Sequence, residues 1–183
     1  ATVSLDSGFV RASGVFINNE GDILTSYHLV PEGADPMHVR WGVGDRTKSF
    51  FAESLYWSRQ LDVMVLRSNT STERYARFAR DISPAGEAYM LGRFENGIMR
   101  FYGRYLGDAL PYANSAHKVS NYLFPSIGFS SGGGIFDGSG HSLLGINRLV
   151  VNESPTSVPV SGATIGDIKL FLKSHRINFE DMN

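Results

Sequence analysis

Phe129-Ser130-Ser131-Gly132-Gly133-Gly134-Ile135-Phe136-Asp137 sets a pair of serines before three consecutive glycines, then two apolar residues and an aspartate. Glycine gives up more backbone freedom on folding than any other residue. Three in a row mark a backbone that must approach something closely or turn its N–H groups inward. A serine nucleophile needs both: an exposed hydroxyl, and unobstructed amides around the oxygen that becomes negative. A glycine-rich hairpin without chemistry fits the same description, because short motifs match by chance. What separates the two is whether the chain also supplies a base and a group to orient it.

A serine hydroxyl is a poor nucleophile at neutral pH and needs both partners. Of the five histidines, His28 has the most informative setting. Val10 and Ser13-Gly14-Val15-Phe16-Ile17 read as a strand, Asn18-Asn19-Glu20-Gly21-Asp22 as a turn, and Ile23-Leu24-Thr25 as the returning strand. His28 follows directly in Ser26-Tyr27-His28-Leu29-Val30, at a strand end where a rigid framework can hold a functional side chain. Asp62 stands at the mouth of the apolar run Val63-Met64-Val65-Leu66, which reads as a buried strand. A carboxylate near the interior must be paired. An imidazole N–H suits it, and that bond leaves the other ring nitrogen facing a serine. Singly, each residue also has an ordinary structural reading: a packed histidine, or a strand-initiating aspartate that caps a turn.

Together, in the order His28, Asp62, Ser131, they resemble the trypsin-like (chymotrypsin-fold) serine proteases, and most of all the bacterial HtrA-like branch without a PDZ domain. Ser13-Gly14-Val15-Phe16-Ile17 followed by Ile23-Leu24-Thr25-Ser26-Tyr27-His28-Leu29-Val30 is similar to the family's histidine hairpin. Asp62-Val63-Met64-Val65-Leu66 is similar to its aspartate strand. Ser131-Gly132-Gly133-Gly134-Ile135-Phe136-Asp137, with Gly140 and Leu144-Gly145-Ile146-Asn147, is similar to its serine loop and the strand after it. The resemblance runs from about Gly8 to a C-terminal helix.

The resemblance implies an all-β chain of two six-stranded antiparallel barrels with a C-terminal α-helix. This would be a single protease domain over 1–183: one barrel at about 1–75, a linker at about 76–84, the second barrel and helix at about 85–183. The implied catalytic residues are His28, Asp62 and Ser131, with the backbone of Phe129, Ser130 and Ser131 forming the oxyanion hole. The family has glycine two residues before the nucleophile, where this chain has Phe129 if Ser131 attacks. Were Ser130 the nucleophile, Gly128 would fall in place but Ser131 would replace a glycine; the downstream register favours Ser131. Phe129 keeps its N–H but is confined to φ/ψ values that glycine need not respect, which predicts an oxyanion hole not fully formed at rest. Substrate would add as a strand along Leu144 to Val150, past Ile146, Arg148 and Leu149. A pocket near Phe124 to Ile127 and Val160 to Ala163 carries no acid and predicts uncharged P1 residues.

Composition sets further bounds. The 183 residues carry 17 basic and 18 acidic side chains, a formal net charge of −1, with no long run of Lys or Arg. Binding to nucleic acid by net charge is not indicated. Arg74, Arg77 and Arg80 alternate with Tyr75, Phe78 and Ala79, a pattern that reads better as a solvated linker face than as an RNA surface. No apolar run reaches the roughly 18 residues of a membrane span. There is no cysteine, and the histidines lack metal-ligand spacing, so disulfides, a thiol nucleophile and a metal are not expected and no cofactor is called for. Ile165, Ile168, Phe171 and Leu172 recur at helical spacing, with Asp167 early and Lys169, Lys173 and His175 late, as the helix dipole favours.

The expected activity is serine endopeptidase action on protein or peptide substrates through an acyl-enzyme. Alternatives are a catalytically silent domain of the same fold used for binding, or a protease that processes its own precursor. The chain begins Ala1-Thr2, as after processing or trimming. The family's habits suggest a secreted or periplasmic location, or the host cytoplasm were the source viral.

Overall fold

A computed structural model describes all residues except 7–10, 31–36, 42–46, 81–85, 95–96, 111–114, 125–131, 139–141, 151–157 and 183. Strands β1 (Thr2–Asp6), β2 (Arg11–Phe16), β3 (Asp22–Thr25), β4 (Met37–Trp41), β5 (Lys48–Ser58) and β6 (Val63–Ser68) form a closed antiparallel barrel in the order β1-β2-β3-β6-β5-β4. Closure is visible at Ser4, which pairs with Ser13 on one side and Arg40 on the other. Closing the sheet leaves these strands no free edge.

A second antiparallel sheet contains β7 (Glu87–Phe94), β8 (Gly97–Ala109), β9 (Val119–Phe124), β10 (Gly134–Asp137), β11 (Leu143–Ile146), β12 (Leu149–Val150) and β13 (Val158–Ala163), in the order β11-β10-β7-β8-β9-β13-β12. Its edges, β11 and β12, are separated in sequence only by Asn147 and Arg148. The chain therefore steps from one edge to the other and nearly closes this sheet too. Counted as one bent strand, β11 and β12 make it six-stranded. The strand expected over Leu144 to Val150 is thus broken at Asn147-Arg148, because its first half pairs with β10 and its second with β13.

The seam between the two units explains the apolar density of the histidine and aspartate motifs. Along β2, Ala12 and Phe16 pack inside the first barrel, whereas Val15 and then Ile17 pack with Tyr89, Ile135 and other residues of the second. In β3, Ile23 points one way and Leu24 the other; in β6, Met64 and Leu66 oppose Val63 and Val65. A strand covered on both faces has no polar face, so period-two alternation disappears from its sequence.

Helix α1 (Ile165–Ser174) begins at Thr164, whose hydroxyl accepts the Asp167 N–H at 3.1 Å, and buries Ile165, Ile168, Phe171 and Leu172. The chain after α1 folds back on the segment that joins the barrels. Phe78, fully buried, exchanges backbone hydrogen bonds of 2.8 Å with Glu180 and Met182. Lys169 Nζ donates to Ala79 O at 2.7 Å and pairs with Asp181 at 2.6 Å. Arg77 pairs with Glu180 at 2.9 Å while half exposed. The linker's aromatic Phe78 is therefore core, and its arginine Arg77 holds the C-terminal tail.

Asp22 is completely buried in β3 and receives Arg67 Nε at 2.7 Å, Arg67 Nη2 at 2.9 Å and Asn18 Nδ2 at 2.8 Å. Arg67→Met would leave this buried carboxylate with Asn18 alone. The expected loss is about 2–3 kcal/mol, below the 3–5 of fully buried pairs because Arg67 is half exposed. Urea unfolding measures it, and a loss under about 0.5 kcal/mol would show the pair to be ornamental. In the second sheet, burial raises the phenols of Tyr89, Tyr105 and Tyr122 above the ordinary value of 10.0. A phenol raised on folding contributes stability that is intact below the unfolded value and is lost as pH climbs towards the folded one. Thermal midpoints are expected to be insensitive to these groups below pH 10 and to fall above it; an unchanged midpoint at higher pH would contradict this burial.

Candidate active site

His28 lies on a single 3₁₀ turn, Tyr27–Leu29, directly after β3. Asp62 closes the turn before β6. Its N–H donates to Arg59 O, and its carbonyl accepts the Tyr27 N–H, each at 3.3 Å. Asp62 adopts φ +54, a left-handed conformation that aspartate tolerates better than most residues. This backbone turns its carboxylate to His28 twice over. Oδ1 accepts the His28 backbone N–H at 2.9 Å and Oδ2 meets Nδ1 at 2.7 Å. The carboxylate is 7% exposed and the imidazole 40%. An ionised carboxylate only accepts, so pairing with it places a proton on Nδ1 and leaves Nε2 as the unprotonated ring nitrogen of the neutral imidazole.

Arg148 adds a second cation: its Nε is 3.5 Å from Asp62 Oδ2, with the side chain 37% exposed. The family resemblance implies a place for Arg148 along the substrate strand, but nothing in the sequence signals this contact. Ser26 likewise has no signature in the sequence. It is buried, and its hydroxyl donates to Asn147 O at 3.0 Å. That carbonyl also accepts the Gly132 N–H at 2.8 Å, while the Asn147 N–H donates to Gly133 O at 2.9 Å. The two-residue step between β11 and β12 therefore ties the glycine loop to the segment carrying His28. Only the Gly-Ile-Asn sequence hinted at it.

Gly132 adopts φ +78 and presses against the first barrel: a Cβ there would collide with the Ser13 carbonyl and the Thr25 hydroxyl, and lie 3.0 Å from Leu29 Cδ1. The first glycine of the run is thus required both for its conformation and for its closeness. Ser131, the residue before it, lies outside the described residues, as do Ser130, Phe129 and Ile127. Phe124, Ile146, Val160 and Ala163 come together, all buried, in the second barrel. Leu149 pairs with Ser161 at the start of β12. Among the described residues no group of three or more His, Asp or Glu could hold a metal ion. No helix among them is long and apolar enough to cross a membrane.

Residues 12–146 match the family described as the trypsin-like peptidase domain, and the chain belongs to that family. Among curated protein sequences none matches significantly. The fold is shared with several solved structures of low identity. The Rv3671c protease from M. tuberculosis in its active form is 17% identical with TM-score 0.75, covering 99% of this chain and 82% of that one. The apo MamO protease domain from Magnetospirillum magneticum is 21% identical with TM-score 0.73, covering 94% and 95%. The HtrA-type protease AlgW, solved with a decapeptide, is 19% identical with TM-score 0.74 over 90% of this chain, which spans about half (51%) of that one. The fold and family are those that the sequence resemblance implied.

Gly132→Ala joins a strained φ to a backbone collision. The expected result is a drop in the thermal midpoint together with loss of peptidase activity; a variant matching the parent in both would show that the glycine loop does not rest on the Ser13 and Thr25 strands.

Proposed function

We propose that this protein is a serine endopeptidase working through Ser131, His28 and Asp62. The observation that carries this reading is the His28–Asp62 pair: a buried carboxylate holds both the backbone and Nδ1 of a half-exposed imidazole. Support for Ser131 comes from Gly132, which packs against Thr25 and Leu29 on either side of His28 in the chain.

Ser131 Oγ attacks the scissile carbonyl carbon while His28 Nε2 takes the hydroxyl proton. Asp62 stabilises the resulting imidazolium through Nδ1–H and stays ionised. The carbonyl electron pair becomes an oxyanion, held by the amides of Phe129, Ser130 and Ser131. Its collapse breaks the C–N bond, and His28 gives its proton to the leaving amine. Water then attacks the ester by the same route, restoring the serine. Phe129 in place of glycine makes the oxyanion hole dependent on substrate for its final form. Phe124, Ile127, Val160 and Ala163 shape a P1 pocket without an acid, which favours uncharged residues over Lys or Arg. The peptide adds as a strand beside Ile146, Arg148 and Leu149.

A serine-directed phosphonate tests the nucleophile. Wild-type protein and Ser130→Ala are expected to be labelled and Ser131→Ala not. Asp62→Asn presents the wrong hydrogen-bonding partner to Nδ1 and should lower kcat by roughly 10⁴. A protein that resists the probe and cleaves no peptide would instead be a silent binding module of the same fold.

A further inference from the structure

Arg148 has its backbone in one place and its charge in another. The N–H donates to Ser161 O at 3.1 Å, which puts the main chain at the start of β12. The side chain reaches across to the first barrel, where Nε stands 3.5 Å from Asp62 Oδ2, the same oxygen that Nδ1 of His28 meets at 2.7 Å. At that length the contact is an ion pair more than a hydrogen bond. Among the described residues the guanidinium has no other side-chain partner, and it is more than one-third exposed. Arg59, on the turn that carries Asp62, is engaged elsewhere: its Nε donates to Tyr27 Oη at 2.7 Å and it lies over that ring.

One carboxylate charge is thus shared between a permanent cation and a histidine that must become cationic. A guanidinium does not give up its proton, so its charge at Oδ2 opposes formation of the imidazolium. Anything that draws Arg148 off Asp62 favours proton uptake by His28. A second carboxylate is the natural agent, because the terminal Nη groups offer it a fork of two donors.

We propose that Arg148 is a specificity-determining residue that passes from Asp62 to a carboxylate side chain of the substrate, on the amino side of the scissile bond. Peptides with Glu or Asp there are cleaved preferentially, because binding releases Asp62 to serve His28 alone. This rests on the protease reading above and adds to it the chemistry of a second substrate position beside an uncharged P1.

Matched peptides with Glu or Gln at each of the three positions preceding P1 test this, with kcat/KM measured for wild-type, Arg148→Gln and Arg148→Lys. Wild-type protein should favour Glu at one position by roughly fivefold, the scale of a partly exposed ion pair. Arg148→Gln should lose that preference while cleaving the Gln peptide roughly two- to fivefold faster, with the acid limb of its pH profile moved to higher pH. Arg148→Lys should keep the direction of the preference. A wild-type enzyme indifferent to Glu, or an Arg148→Gln variant that cleaves both peptides more slowly by one factor, would overturn the proposal. Phosphonate labelling separates the two failures: labelling without a Glu preference overturns the role of Arg148 only, and no labelling of wild-type protein overturns both.

Discussion

The Asp62 carboxylate is buried at the seam between two barrels, and much of the site's geometry follows from the need to pair it there. An isolated ionised carboxylate in such a place is strongly unfavourable, whereas one with several donors is tolerated. Its partners come from both sides. The first barrel supplies the backbone and ring of His28, and the second supplies Arg148. Pairing this charge is therefore also a way of setting the two barrels in register. The same condition fixes the histidine's tautomer, because an acceptor at Nδ1 leaves Nε2 without a proton.

The seam is apolar around that charge. Strands β2, β3 and β6 bury one face within their own barrel and the other against the second. Rigidity at the site follows, because the 3₁₀ turn with His28 and the turn with Asp62 leave adjacent strands that cannot tilt without opening both cores. The step at Asn147-Arg148 completes the frame from the other side. Its carbonyl collects Gly132 and Ser26, and its side chain collects Asp62. A short irregular connection can do this because it lies where one strand trades β10 for β13, which frees its polar groups to point across the seam.

The parts of this arrangement that could be read from the chain are those written in local pattern. The hairpin around Asn18 to Asp22 announced itself through turn residues between apolar runs, and α1 through its spacing from Ile165 to Leu172. His28 and Asp62 stood out because each interrupts or borders such a run. What could not be read are polar pairs formed across long sequence separations. Asp22 looked like a turn residue, yet it is a buried strand residue neutralised by Arg67. Ser26 and Asn147 are 121 residues apart and have no individual signature. The course of the backbone past Arg148 was foreseeable, but the direction of its side chain depends on the break between β11 and β12, which appears only once both partner strands are in place. Phe78 was misleading in the opposite sense: an aromatic among arginines, it is core because the C-terminal tail returns to cover it.

The central claim is that Asp62 holds His28 as the Nδ1–H tautomer with Nε2 ready to accept a proton. Nitrogen-15 NMR of the histidine side chains at neutral to mildly alkaline pH reads this directly, because protonated and unprotonated ring nitrogens have well-separated shifts. The prediction is a protonated Nδ1 with its proton far downfield, as expected of a 2.7 Å bond to a carboxylate, and an unprotonated Nε2. A His28 spectrum with the proton on Nε2 and a bare Nδ1 would contradict the pairing on which the proposed chemistry depends.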